Sequence, residues 1–392
     1  MRRLHNGTGG LKTHTVKEFV MSWSFNIGRI FGISVNIHWT FLMLLGWVFV
    51  SELAAKDNPA MAAEGVIFIL VLFGCVVLHE LGHALTARTY GIKTRDITLL
   101  PIGGVARLER MPEQPIQEFW VAVAGPAVNV VIAAFLAMLL ALSVGVQHVF
   151  TVPVLTESFL GRLLIVNIAL VVFNMLPAFP MDGGRVFRAL LATRYDYVTA
   201  TETAARVGKS MAIGFGILGF LTNGFLVFIA LFVYFGAQQE ASQVRMKATM
   251  SGVPVSDAMI RHFHTLHDDD SLGTAAGELL AGDQQDFPVI AAGKCVGILT
   301  RQDLLDAIAA GQLDAPVGQV MHRNCRTVCD TDPLESVVSA MTDQQCYATP
   351  VVRHGKIVGV VNLDNIQEWL AIQSALRLTG RSGNSSPLAN SV

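Results

Sequence analysis

Charge is scarce in this chain: Asp, Glu, Lys and Arg make up 15% of 392 residues, where a soluble protein carries about 25%. With hydrophobic residues at 52%, too few charges remain to coat an ordinary soluble surface. The composition therefore reads as a multi-span membrane protein with a soluble part attached. A basic excess is also missing, and the net charge of −2 argues against a nucleic-acid partner. Cysteine is sparse. Cys75 lies in an apolar run, while Cys295, Cys325, Cys329 and Cys346 lie in the C-terminal part. Cys325 and Cys329 have no second pair at zinc-site spacing and read as ordinary reduced thiols. Arg2 and Arg3 are followed by no apolar core, so the start does not read as a cleavable signal peptide.

What the chain does have is long apolar runs, near 31–50, 65–88, 118–144, 158–177, 210–221 and 223–237. The last two are short, and read either as one broken helix or as two helices meeting at Leu221-Thr222-Asn223-Gly224. Lys93, Arg95, Arg107 and Arg110 fall between spans two and three. Arg185, Arg188, Arg194, Arg206 and Lys209 fall between four and five. The alternate loops hold only Lys56, only Arg162, and none. By the positive-inside rule the basic loops are cytoplasmic, and so are both termini, which fits six spans.

Span two ends in His79-Glu80-Leu81-Gly82-His83, directly after the uncharged run Gly65–Leu78. Residues four apart share a helix face, so His79 and His83 can offer two imidazole nitrogens to one zinc ion. Glu80, beside the first of them, can take a proton from water at that metal. Ionisable residues are costly inside a membrane, which favours a functional reading over a structural pair. Residues 94–109 alternate polar and apolar around Pro101 and Gly103-Gly104, and read as a membrane-surface β-hairpin or as a connecting loop. As a hairpin, its edge could pair with an extended substrate.

A catalytic zinc needs a third protein ligand. Asp182, in Asn174-Met-Leu-Pro177-Ala-Phe-Pro180-Met-Asp182-Gly183-Gly184, follows two prolines that break a membrane helix. Spacing alone leaves it either a metal ligand or the N-cap of the amphipathic run that follows. Asn129, in Gly125-Pro126-Ala127-Val128-Asn129, and Asn174 are amides in apolar surroundings. They either bond neighbouring helices or hold a substrate backbone or oxyanion.

HELGH, GPAVN and NMLPAFPMDGG, in that order on three successive spans, closely resemble the site-2 protease family of intramembrane zinc metalloproteases. The resemblance covers about residues 22–240. It implies His79, His83 and Asp182 as zinc ligands, Glu80 as general base, and Asn129 and Asn174 as substrate or transition-state contacts. His38, before Trp39, also looks like a family feature, but an interfacial His-Trp pair is the plainer account.

Past residue 245 the composition turns soluble and repeats with a period of 62. Val255-Ser-Asp-Ala-Met259 aligns with Val317-Gly-Gln-Val-Met321, Phe287-Pro-Val-Ile290 with Thr349-Pro-Val-Val352, and Gly297-Ile-Leu-Thr300-Arg-Gln-Asp303 with Gly359-Val-Val-Asn362-Leu-Asp-Asn365. An ungapped repeat means two copies of one unit, each reading as strand, helix, strand, strand, helix. The copies resemble a tandem pair of CBS domains, which pack pseudo-symmetrically and often bind adenine nucleotides. In that resemblance Thr300 and Asp303 match the positions that hold the ribose. Asn362 and Asn365 lack the carboxylate, so one nucleotide site is expected rather than two, the alternative being a structural or homodimerising module without ligand.

The expected architecture is therefore a polytopic α-helical membrane protein of about six transmembrane helices with a small β-hairpin, followed by an α/β tandem CBS pair. Its parts are an unstructured extension at 1–21 (with Met21 as natural start), a peptidase domain at 22–240, CBS copies at 246–309 and 310–376, and a disordered tail at 377–392. The expected function is zinc-dependent endoproteolysis of membrane-anchored proteins, such as an anti-sigma factor, tuned by the cytoplasmic CBS module. The expected location is a bacterial inner membrane. A CBS-regulated transporter or channel with a metal-lined path is the competing class, and a scaffold with a degenerate site is a third. Glu80 discriminates, because hydrolysis needs it and permeation does not.

The loop charges generate a topology prediction. Reporters fused after Arg110, Arg194 and Arg245 are expected in the cytoplasm, and one near Gln147 on the opposite side. An external signal after Arg194 would overturn six spans and the placement of Asp182 beside the histidines.

Overall fold

The computed structural model describes residues 24–112, 114–323, 327–344, 346 and 348–378. The expected 1–21 extension, Cys325 and the tail beyond Leu378 lie outside those residues. Near Ala241 the chain divides into two compact units.

The first unit opens with strands β1 (Ser24–Ile30) and β2 (Ile33–His38), paired antiparallel around Phe31-Gly32. Both turn residues have positive φ, 52° and 85°, as a tight hairpin requires. The expected start of span one at residue 31 is thus corrected. Ile33, Val35 and Ile37 alternate with Ser34 and Asn36, which is strand period, and helix begins only at Trp39. His38 marks the switch, since its Nδ1 accepts from the backbone N–H of Thr40 at the start of α1 (Trp39–Lys56). Helix α2 (Pro59–Thr89) starts with Pro59 in the first turn and Asn58 as cap, and carries the HExxH motif. Strands β3 (Thr94–Leu100) and β4 (Gly103–Leu108) form the expected hairpin, not a loop. Because β2 pairs parallel with β3, the sheet order is β1-β2-β3-β4 and ends at β4 among the described strands. Ile33 and Ile97 pack on Leu81 and Ala84, which seats the sheet against the motif end of α2.

There follow α3 (Pro115–Val144), the short α4 (Val152–Glu157), α5 (Phe159–Asn174), α6 (Asp182–Ala192), α7 (Tyr197–Leu221) and α8 (Gly224–Met250). Each of the six apolar segments contains a helix. Among the described residues α1, α2, α3, α7 and α8 are long and apolar enough to cross a membrane. Helix α5 has 16 residues, short of the roughly 20 that a span needs, and stops ahead of Pro177 and Pro180. The two short runs at 210–221 and 223–237 are the apolar parts of separate helices of 25 and 27 residues. Their polar outer turns carry no hydropathy signal. Helices α2 and α3 touch closely at Gly82, where a Cβ would stand 2.8 Å from the carbonyl oxygen of Ala124.

The second unit repeats one motif. Copy one is β5 (Leu266–His267), α9 (Leu272–Ala281), β6 (Phe287–Ala291), β7 (Lys294–Leu299) and α10 (Arg301–Ala309). A short α11 (Val317–Val320) leads into copy two, β8 (Val328–Cys329), α12 (Leu334–Gln344), β9 (Ala348–Arg353), β10 (Lys356–Asn362) and α13 (Leu363–Leu378). The order is the expected one, although α13 runs two residues into the expected tail. Pseudo-symmetry shows in the bridges Ile260–Val360 and Ile298–His322, and again in Pro254–Pro333 and Ser271–Pro316. Each copy lends its leading segment to the other. Gly297 and Gly359 make room for it, since a Cβ there would meet the sulfur of Met321 or Met259 at 2.9 or 2.6 Å.

Candidate metal centre

His79 and His83 occupy successive turns of α2, and Asp182 is the first residue of α6. All three are buried, at 7%, 6% and 6% exposure. The two imidazole Nε2 atoms lie 3.1 Å apart, and Asp182 Oδ2 lies 3.2 Å from that of His79 and 3.1 Å from that of His83. Among the described residues this is the single cluster of His, Cys, Asp or Glu able to hold a metal. The capping alternative for Asp182 fails locally. Met181 takes the N-cap position, and the carboxylate turns to the histidines.

Helix α3 decides which nitrogen each ring presents. His83 Nδ1 lies 2.6 Å from the carbonyl oxygen of Val121, which can only accept, so Nδ1–H donates. His79 Nδ1 donates to Asn129 Oδ1 at 3.1 Å. Each Nε2 is left with a lone pair, and two lone pairs face a carboxylate within about hydrogen-bond distance. Three acceptors at that spacing repel unless a cation sits among them. The donor set N, N, O is that of a three-ligand zinc site with an open fourth position. Gly125 allows the approach, because a Cβ there would stand 2.2 Å from His83 Nε2 and 2.7 Å from His79 Nε2.

Glu80 lies beneath the hairpin. The backbone N–H of Ala106 donates to its Oε2 at 3.2 Å. A Cβ at Gly104 would stand 2.9 Å from the Glu80 side chain. Since β4 pairs with β3 on its other side, Ala106 turns its backbone groups out of the sheet toward Glu80.

Asp182 is brought into place by its glycines. A Cβ on Gly183 would lie 2.3 Å from the Leu176 oxygen, and one on Gly184 2.6 Å from the Ala178 backbone. Only glycine lets α6 fold back on the segment that follows α5. The two amides separate. Asn129 is fully buried and holds His79, with its Nδ2 free of any acceptor among the described residues. Asn174 ends α5 half-buried. Sequence reasoning did not find the Val121 carbonyl, which no side-chain pattern announces. It missed Gly104 and Gly125 as steric permits, although the glycines themselves stood in the quoted motifs. It also missed a buried ion cluster around Arg188, which bonds Glu118 and Glu240.

At the second unit, Thr300 Oγ1 caps α10 by accepting from Asp303 N, and its hydroxyl donates to Asp303 Oδ2 at 2.5 Å. Asp303 Oδ1 stands 3.0 Å from His322 Nε2. Burial raises the Asp303 carboxyl, but the His322 and Thr300 hydrogen bonds outweigh it and hold it below the usual range. The bond to Asp303 holds the His322 ring above its ordinary value. In the other copy Asn362 Oδ1 caps α13, and Asn365 Nδ2 donates to the Ala258 carbonyl, which a carboxylate cannot do. The lost carboxylate thus has a packing reason. Cys295 and Cys329 carry free thiols.

Residues 67–160 and 151–215 match peptidase family M50, and residues 255–310 and 317–372 match the CBS domain. A zinc metalloprotease of Methanocaldococcus jannaschii is 33% identical over 90% of this chain and 97% of its own length. Rip3 of Mycobacterium tuberculosis, whose name assigns it provisionally to the zinc metalloproteases, is 30% identical over 88% of this chain and 92% of its own. The solved site-2 protease of Methanocaldococcus jannaschii is 38% identical, with a TM-score of 0.41, covering 56% of this chain and 95% of that one.

Asn129→Ala separates the two roles open to that amide. Loss of the His79 acceptor is expected to weaken zinc binding about 10- to 100-fold in chelator competition. Unchanged affinity with only a raised KM would make Asn129 a substrate contact instead.

Proposed function

This chain belongs to peptidase family M50, the site-2 protease family of zinc metalloproteases, and from that premise we propose that it hydrolyses peptide bonds of membrane-anchored proteins in or near the bilayer. The observation that carries the reading is the convergence of Asp182, from α6, on His79 and His83, which flank Glu80 on the apolar helix α2. His79 Nε2, His83 Nε2 and an Asp182 carboxylate oxygen are the proposed zinc ligands. Zinc held there would supply a Lewis acid that polarises a carbonyl and makes water a stronger acid.

The remaining work falls to the protein's own groups. Glu80 takes the proton of the attacking water and returns it to the leaving amine. Its Oε2 is steadied by Ala106 N–H. An unwound substrate segment would lie along the edge of β4, where Ala106 N–H bonds Glu80. Such pairing would keep a helical substrate extended at the site of cleavage. The Nδ2 of Asn129 and the amide of Asn174 are the proposed contacts to substrate or oxyanion.

In this reading residues 22–240 form the peptidase and 246–376 the regulatory pair. The substrate is an anchored regulator such as an anti-sigma factor, the membrane is a bacterial inner membrane, and both termini are cytoplasmic. An adenine nucleotide at the CBS pair would engage Thr300 and Asp303 in competition with His322, and a homodimer would form through the same pair. The family leaves the transporter reading without support.

Glu80→Gln tests the proposal. Glutamine keeps the size of glutamate but cannot accept the proton, so cleavage of a membrane-anchored model substrate is expected to fall about 10²- to 10⁴-fold. Zinc content in the same preparation should be retained. Cleavage at the wild-type rate would sink the mechanism.

A further inference from the structure

We propose that Arg188 is a positioning residue for the metal centre, tying the helix that carries Asp182 to the face of α3 that orients both histidines. The proposal rests on His79, His83 and Asp182 being the metal ligands.

Glu118, Val121, Gly125 and Asn129 fall at i, i+3, i+7 and i+11 of α3, one stripe along a helix. Three of them act on the histidines: Val121 and Asn129 take the two Nδ1–H groups, and Gly125 admits the two Nε2 atoms. Glu118, first in the stripe and 1% exposed, acts on the third ligand's helix instead. Its Oε1 accepts from Arg188 Nε at 2.7 Å and from Nη2 at 2.5 Å. Arg188 Nη1 donates to Glu240 Oε1 of α8 at 2.7 Å. The guanidinium carbon lies 5.0 Å from the Phe179 ring centre and 4.9 Å from that of Tyr197. Arg188 is fully buried.

Such a cluster is a costly way to join three helices. Apolar residues of similar volume often stabilise as well or better, because desolvating the charges offsets much of their attraction. Direction is what the ions add. The planar guanidinium fork aims Nε and Nη2 at one Glu118 oxygen and Nη1 at Glu240, a fixed set of directions, whereas packed aliphatic faces tolerate a slide. Helix α6 has 11 residues, and Arg188 sits about 9 Å along its axis from Asp182. Gly183 and Gly184 seat its first turn on the segment after α5, and Arg188 pins the far side to α3. A slide of about 1 Å exceeds the tolerance of a preorganised site and would carry Oδ2 away from the two Nε2 atoms. One stripe of α3 therefore sets all three ligands against a common reference.

The test measures zinc affinity by chelator competition and the visible spectrum of the cobalt-substituted protein, in detergent, on the full chain. The variants are Arg188→Lys, Asp182→Ala, and the triple Glu118→Met, Arg188→Met, Glu240→Met. Lysine keeps the charge and loses the fork. It is expected to weaken zinc binding about tenfold or more and to change the cobalt spectrum, while the thermal midpoint stays near wild type. The triple variant removes every charge of the cluster, so it should fold and yet bind zinc as weakly as Arg188→Lys. Wild-type affinity and spectrum in either variant would reduce Arg188 to a structural brace. If lysine prevents folding, the triple variant decides. No stoichiometric metal in the wild type, or full retention in Asp182→Ala, would overturn the ligand assignment itself, and is read separately from the Arg188 comparison.

Discussion

Two histidines on an apolar helix are of no use as a pair until something fixes which nitrogen each presents. That constraint is met by α3, and the rest of the centre depends on it. With Val121 and Asn129 holding the Nδ1–H groups, both Nε2 lone pairs turn to one point, where Asp182 adds a carboxylate. The glycines follow from the same demand. Gly82 lets α3 lie close enough to act, Gly125 leaves the space between the rings, and Gly183 and Gly184 let Asp182 return to it. Helix packing in a membrane has little hydrophobic drive of its own, so close backbone approach is its natural means of building a rigid site.

In the proposed reading the sheet would join this centre to substrate. Gly104 and Ala106 bring the edge of β4 onto Glu80, so the group assigned to proton transfer and the edge assigned to an extended chain are neighbours. A sheet edge in a membrane is ordinarily a liability, because its backbone groups lack water. Placed over the site, the same edge would, in the proposed reading, be a means of binding an unwound segment.

Much of this was legible in the residues, and the failures have physical causes. The i, i+4 histidines and the 62-residue repeat announce themselves because each is a periodicity, whereas the short alternation at 94–109 leaves hairpin and loop both open. Asp182 is part of no periodicity, since its partners are 99 residues or more away and spacing alone left it as ligand or cap. Strand β2 falls inside the apolar run read as span one, although Ile33 to Ile37 alternates, because hydropathy averages over strand and helix alike, and β1 lies ahead of that run. Arg188 was counted among the cytoplasmic loop charges, yet it is fully buried between carboxylates. Sequence shows a charge but not its partner. In the CBS pair the change from Asp303 to Asn365 looked like a lost ribose contact, and the Ala258 carbonyl supplies a local reason for the amide.

In the proposed centre two imidazoles and one carboxylate hold the metal, with no sulfur. Cys75 stands one helical turn before His79 on α2, buried, and is the natural rival ligand. X-ray absorption at the zinc edge of the purified chain tests the claim most directly. The expected spectrum shows nitrogen and oxygen neighbours at about 2.0–2.2 Å with the outer scattering of two imidazole rings. A sulfur shell at about 2.3 Å would contradict it.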